Sequence, residues 1–197
     1  MTVDNFALVL PLLKFESEDD FYYLQILQRK KENPHLGSNS RVIKNYYIGS
    51  KEYLMDKYSE IVELCKTFNA RASLRLNKRS YRKVAFKNMI NVANNVSNGD
   101  YLNVKKCYDR ACGQNHNDSN KKWILDVDEE LTQELLNIIE GFTLGVRPDE
   151  GKSKIITTLP SKSGSHVITS PFDLRGWKEQ FPDIEIHKDN PVNLYIP

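Results

Sequence analysis

The chain has 197 residues, enough for one or two domains, and its 40% apolar content is enough for a core, while the formal net charge is only +2. No apolar run approaches the roughly 20 residues of a membrane span, and the N-terminus lacks the basic-then-apolar order of a secretory signal. Three cysteines are few for a disulfide framework, so a soluble, intracellular protein without a membrane partner is expected.

Phe6–Leu13 is apolar and strand-like, and Ser17–Lys31 reads as a helix with an acidic start and a basic end. A loop over residues 33–40 leads into Val42–Ile48, a helix Lys51–Phe68 and a strand Ala70–Asn77, which together form a β-α-β unit. In that last strand Ala70, Ala72, Leu74 and Leu76 alternate with Arg71, Ser73, Arg75 and Asn77, the pattern of a half-buried strand with a cationic face. It feeds a helix from about Ser80 to Val96. Residues 71–87 hold Arg71, Arg75, Lys78, Arg79, Arg82, Lys83 and Lys87 and no acid. Such a patch can bind nucleic-acid phosphates in a chain that is nearly neutral overall, and Tyr46, Tyr47 and Tyr81 lie close enough in sequence to stack on bases. The same cations would equally serve to solvate a sheet face. Residues 97–120 are polar, with a short helix over Leu102–Ala111. Cys107-x4-Cys112-x3-His116 in this stretch resembles part of a zinc site, but a tetrahedral ion needs four ligands and only distant Cys65 or His35 could complete it. Bound zinc is therefore not expected there.

Lys122–Asp128 reads as a strand whose residues Trp123, Leu125 and Val127 point one way and Ile124, Asp126 and Asp128 the other. Residues two apart on one face lie about 6–7 Å apart, so both carboxylates can reach one Mg²⁺ or Mn²⁺ or flank two, as metal-assisted phosphoryl chemistry requires. The competing interpretation is an acidic residue that ends a strand and opens the acidic first turn of the next helix, near Glu130–Phe142. A polar loop follows, then two β-branched runs, Lys154–Leu159 and His166–Ser170, on either side of Pro160-Ser-Lys-Ser-Gly-Ser165. This is a hairpin, and its tip supplies backbone N–H groups, hydroxyls and the Lys162 charge, with His166 at the foot of the returning strand. Phosphate oxygens need such donors, although an ordinary polar hairpin would look the same. A helix around Leu174–Phe181 and a strand Ile184–His187 close the chain, so strands and helices alternate as in a mixed α/β or α+β layer structure.

This order of parts resembles the archaeo-eukaryotic primase superfamily, the primase-polymerases and their end-joining relatives. Ile124-Leu-Asp-Val-Asp128 matches the family's strand with two acids, and Gly164-Ser-His166 matches its hairpin motif of a small residue, any residue and histidine. At the third motif the chain departs from the pattern, because where a carboxylate is usual it offers Glu185, His187 or Asp189. His187 comes first by position and Glu185 second as the harder ligand; a histidine there tilts preference toward Mn²⁺ or means that the third ligand is lost.

The resemblance implies an α+β fold: an RRM-like catalytic half over residues 121–197 beside an N-terminal β-α-β subdomain over residues 1–120, with a cleft between them. It implies template-directed nucleotidyl transfer with Mg²⁺ or Mn²⁺ on Asp126, Asp128 and His187 or Glu185. The incoming nucleoside triphosphate would lie on Lys162, Ser163, Gly164, Ser165 and His166, and the single-stranded DNA or RNA template on Arg71, Arg75, Lys78 and Arg79. Small size without a fused helicase or ligase points to a replication or repair factor of a phage or mobile element. Two other classes fit parts of the pattern. A non-catalytic nucleotide-binding or nucleic-acid-binding module would keep the cleft without the reaction. A rolling-circle-type nicking enzyme would need a histidine pair on one strand, which His166-Val-Ile lacks.

Overall fold

The computed structural model describes residues 2–115, 119–148 and 151–197. It is an α+β structure in which two antiparallel sheets face one another across a cleft; the first sheet is packed by helices on both faces and the second on its outer face. In chain order the first part contains β1 (Val3–Asp4), α1 (Phe6–Val9), β2 (Asp20–Arg29), β3 (Ser40–Ile48), α2 (Lys51–Phe68), β4 (Arg71–Arg75), β5 (Arg79–Ser80), α3 (Tyr81–Ser97) and α4 (Cys107–Gln114). The second part contains β6 (Trp123–Val127), α5 (Gln133–Leu144), β7 (Ile155–Pro160), β8 (Ser165–Thr169), α6 (Trp177–Gln180), β9 (Glu185–His187) and β10 (Pro191–Ile196).

The first sheet runs β1-β10-β4-β2-β3, with β5 pairing the start of β2, and the second runs β7-β8-β6-β9. A division at 120/121 separates the two sheets except at the C-terminus, where β10 returns to lie between β1 and β4 of the first. The helix α2 is the one read from sequence; Ser50 accepts its Tyr53 N–H at 3.0 Å, and Asn69 ends it in the left-handed region at φ 44°.

Two expected elements have changed type. Ser17–Lys31 contains the central strand β2 rather than a helix. Tyr22, Leu24 and Ile26 pack under Leu54, Ile61 and Cys65 of α2, while Phe21 and Tyr23 on the opposite face meet Val84, Ala111 and Cys112. A strand buried on both faces is a continuous apolar run, which periodicity alone cannot tell from a buried helix. Phe6–Leu13, expected as a strand, is the helical turn α1 followed by a 3-10 turn over Leu10–Leu12, with Pro11 in its first turn and Val9 and Leu13, four apart, both buried.

The second sheet buries its outer face. Leu125 and Val127 of β6 and Val167 of β8 meet Ile139 of α5 and the cluster Phe172, Trp177 and Phe181. The Trp177 indole donates to the Ile184 carbonyl at 3.1 Å, and full burial of such a ring stabilises by roughly 1.5–3 kcal/mol. Two asparagines tie the sheets together. Asn77 mimics a peptide group: its amide donates to the Lys122 and Lys188 carbonyls and its oxygen accepts the Lys122 N–H at 2.7 Å. Asn5 donates to the carbonyls of Pro160 and Asn193, both at 2.8 Å. Among the described residues no helix is long and apolar enough to cross a membrane.

Candidate functional site

The inner face of the second sheet carries the acids. Period-two alternation sends Leu125 and Val127 into the outer core and leaves Ile124, Asp126 and Asp128 to line a cleft of about 550 Å³. Register then assembles a cluster that sequence spacing does not contain: Asp126 on the middle strand stands opposite His166 of β8 on one side and Glu185 of β9 on the other. Its two oxygens face two imidazoles, with His166 Nε2 at 3.5 Å from Oδ1 and His187 Nε2 at 3.6 Å from Oδ2. Glu185 reaches to 3.6 Å from His187, but its side chain is 79% exposed. Burial holds the His166 imidazole below its ordinary value, against the pull of the Asp126 carboxylate, and its Nδ1 is buried without a hydrogen-bond partner. The third position among the open alternatives is thereby narrowed, because Asp189 is turned away from the cluster into a different network.

The hairpin divides into two sides. Ser161, Lys162, Ser163 and His166 line the cleft, whereas Gly164 and Ser165 open on a separate hollow beside Glu129, Glu130 and Leu131. The Gly164 N–H donates to Ser161 Oγ at 3.1 Å, so the turn closes on itself rather than presenting that donor outward. Gly164 is required for another reason: a Cβ there would stand 2.0 Å from the Val127 carbonyl oxygen. The tip presses on the end of the acid strand, and Ser163 Oγ approaches Asp128 Oδ1 at 3.4 Å.

The facing wall, from the first sheet, contributes Arg29, Lys31, Arg71 and Ser73, with Asn190 and Asn193 from the C-terminal segment. Here the expected cationic face needs correction. Only Arg71 of the four predicted nucleic-acid contacts lines the cleft, and it is itself buried and paired with Glu32. Arg79 has a side chain 0% exposed and is held by Asp189, with Nη1 to Oδ1 at 3.0 Å and Nη2 to Oδ2 at 2.5 Å. Arg75 reaches the same carboxylate at 3.1 Å. Lys78 is buried against Glu16 and Asp20, at 2.5 and 3.0 Å. All these acids come from outside the basic stretch, which is why the stretch alone reads as uncompensated.

The three tyrosines expected to stack on bases are engaged within the protein. Tyr46 is buried with its hydroxyl donating to Glu60 at 2.9 Å, Tyr47 donates to Asp109 at 2.7 Å and stacks on Tyr23, and Tyr81 stacks on Phe21 at 4.3 Å between centroids. The thiols of Cys107 and Cys112 are free and buried, and burial pushes Cys112 up to about 12. Cys65 lies in the separate core under α2, His35 is exposed on the turn after β2, and His116 lies outside the described residues.

Among the described residues no group of three or more His, Cys, Asp or Glu is placed to hold a metal ion. Mg²⁺ and Mn²⁺ sites in phosphoryl-transfer proteins need no such group, since one or two protein ligands are completed by water and substrate phosphates. The Asp126–His187 pair fits that kind of open site. Its 3.6 Å separation is too long for a hydrogen bond and wider than the ~3.0 Å between neighbouring ligands of an octahedral ion with bonds of about 2.1 Å, so the two side chains would draw together on a shared ion. Glu32 carries no signal in the sequence, Asn77 reads there only as a strand residue and Asp189 only as an alternative third ligand; no local spacing marks the pairings that bring them to this region. Neither protein-family models nor curated proteins nor solved structures match this chain.

Proposed function

We propose that the cleft binds a nucleoside triphosphate with Mn²⁺ or Mg²⁺ and carries out nucleotidyl transfer, the reaction implied by the likeness to primase-polymerases. The observation that carries this reading is the register of β6: Asp126 meets His166 and Glu185 in its two neighbours, beside His187, on a face opposite Arg29, Lys31 and Arg71. Acids on one wall and cations on the other suit a metal–triphosphate, whose two components carry opposite charge. The order β6-α5-β7-β8-α6-β9, with strands arranged β7-β8-β6-β9, supports an RRM-like catalytic half.

Asp126 and His187 would hold the ion, with water and phosphate oxygens completing its shell, and a histidine among the ligands favours Mn²⁺ over Mg²⁺. An ion held there would supply charge stabilisation for attack of a 3′-hydroxyl on the α-phosphorus with pyrophosphate as the leaving group. His166, whose imidazole burial holds below its ordinary value, would donate one hydrogen bond from Nε2 to a phosphate oxygen. Ser161, Lys162 and Ser163 add donors along the same wall. Gly164 lets the hairpin stand close enough to the acid strand for both groups to reach one ligand.

A second reading draws on the internal pairing of Arg75, Lys78 and Arg79. With those cations engaged, the exposed Arg29 and Lys31 are left to meet a template, which favours a module that binds nucleotide without copying a strand. Both readings are tested by titrating deoxynucleoside and ribonucleoside triphosphates with Mn²⁺, with and without a primed template, against wild type and Asp126→Asn. Nucleotidyl transfer requires incorporation that disappears in the variant. Triphosphate binding that needs Asp126 but gives no incorporation supports the binding module, and an Asp126→Asn protein stabilised as much as wild type removes both.

A further inference from the structure

Glu32, in the turn that follows β2, places one carboxylate oxygen between cations from both sheets. Oε1 pairs with Arg71 Nη2 of β4 and lies 3.4 Å from Lys162 Nζ at the tip of the β7–β8 hairpin. Arg71 and Lys162 line the cleft, while Glu32 stands behind them. Its side chain is 10% exposed and that of Arg71 is 9%. The match is incomplete, since Glu32 Oε2 and Arg71 Nε are both buried with no hydrogen-bond partner. A guanidinium recognises an oxyanion best with two parallel N–H donors, and here one of them is idle. Two cations from separate sheets thus converge on one carboxylate oxygen, at the mouth of a site whose opposite wall carries the acids.

We propose that Arg71 and Lys162 form a phosphate-binding subsite shared between the two sheets, which the Glu32 carboxylate occupies in the free protein and yields to the outer phosphates of a nucleotide. The inference rests on reading the cleft as a nucleotide site, and it moves Arg71 from template binding to the triphosphate. A terminal phosphate carries more charge and more acceptor oxygens than a carboxylate. It can take Nη2 and Nε of Arg71 together and still accept from Lys162. Glu32 then acts as a resident competitor: it keeps a buried guanidinium paired while the cleft is empty and weakens phosphate binding by the work of its own displacement.

Calorimetric titration of the full chain with inorganic tripolyphosphate, without metal, gives the direct test. Glu32→Gln, nearly isosteric, should bind at least tenfold tighter than wild type. Arg71→Gln and the exposed Lys162→Gln should lose most of the affinity in both backgrounds; Lys162→Gln guards against a folding defect, because its side chain is 47% exposed. If Glu32→Gln binds more weakly, Glu32 only positions Arg71 and the competitor role is wrong. If a single-stranded oligonucleotide gains affinity in Glu32→Gln while tripolyphosphate does not, the subsite serves a strand backbone and the assignment to the nucleotide falls. Triphosphate binding with Mn²⁺ that depends on Asp126 but ignores Glu32, Arg71 and Lys162 would overturn this inference and leave the nucleotide reading standing. Binding of no phosphate compound by wild type would remove both.

Discussion

Asp126 and Asp128 on β6 face an open cleft, whereas Arg75, Lys78 and Arg79 at the other concentration of charge are drawn inward onto Asp189, Glu16 and Asp20. The acids line their cleft, where Asp126 faces the imidazoles of His166 and His187 and Asp128 faces the hydroxyl of Ser163. Arg75 and Arg79 share Asp189, and Lys78 lies against Glu16 and Asp20, all carboxylates supplied by distant parts of the chain. A charge that tertiary structure leaves uncompensated in a concavity is a candidate for binding. A charge that it buries and pairs is a candidate for holding the fold, because breaking such a pair strands an ion in low dielectric.

The sharpest way to break this contrast is Asp189→Ala. It removes the partner of the fully buried Arg79 and of Arg75 together, and should destabilise by about 3–5 kcal/mol, measured by chemical denaturation. A loss below ~1 kcal/mol would place the basic stretch back among the solvated surfaces. Gly164→Ala comes next, since its Cβ meets the Val127 carbonyl and the hairpin must shift off the acid strand. The expected cost is ~1–3 kcal/mol, accompanied by weaker triphosphate binding. If affinity stays unchanged as stability falls, the hairpin does not carry the phosphates.

Acid titration separates the two kinds of carboxylate further. Burial would push the Asp20 carboxyl up, but the backbone N–H groups of Glu16 and Ser17 and the Lys78 ammonium outweigh it and hold the carboxyl below its ordinary value. Its stabilisation is therefore complete above the ordinary value near ~3.9 and is lost as pH falls through the lower folded value. Asp20→Asn should cost about 1 kcal/mol at neutral pH and flatten the acid limb of a stability–pH curve; an unchanged limb would mean that Asp20 is not the group titrating. The smallest effect is expected at the site itself. Without metal or nucleotide, Asp126→Asn should change stability by no more than ~0.5 kcal/mol in either direction, while abolishing the additional stabilisation by Mn²⁺ with triphosphate. A large loss in the apo protein would make Asp126 a structural residue like Asp189.

What the sequence determined by itself was local: the helices α2 and α3, the hairpin, the acid strand and the outward turn of Asp126 and Asp128 follow from periods of 3.6 and 2 and from Ser and Gly at element ends. These signals lie within a few residues of the elements that they specify. Tertiary structure alone decided that Phe21–Leu27 is a central strand, because burial on both faces erases the alternation that distinguishes strand from helix. It alone brought His166 and His187 to opposite oxygens of Asp126, through a ladder register that no spacing encodes. And it alone paired Arg75, Lys78 and Arg79 of the basic stretch with carboxylates. Glu16, Asp20 and Asp189 are remote in sequence, and the net charge of a segment says nothing about which ions the fold will carry to it.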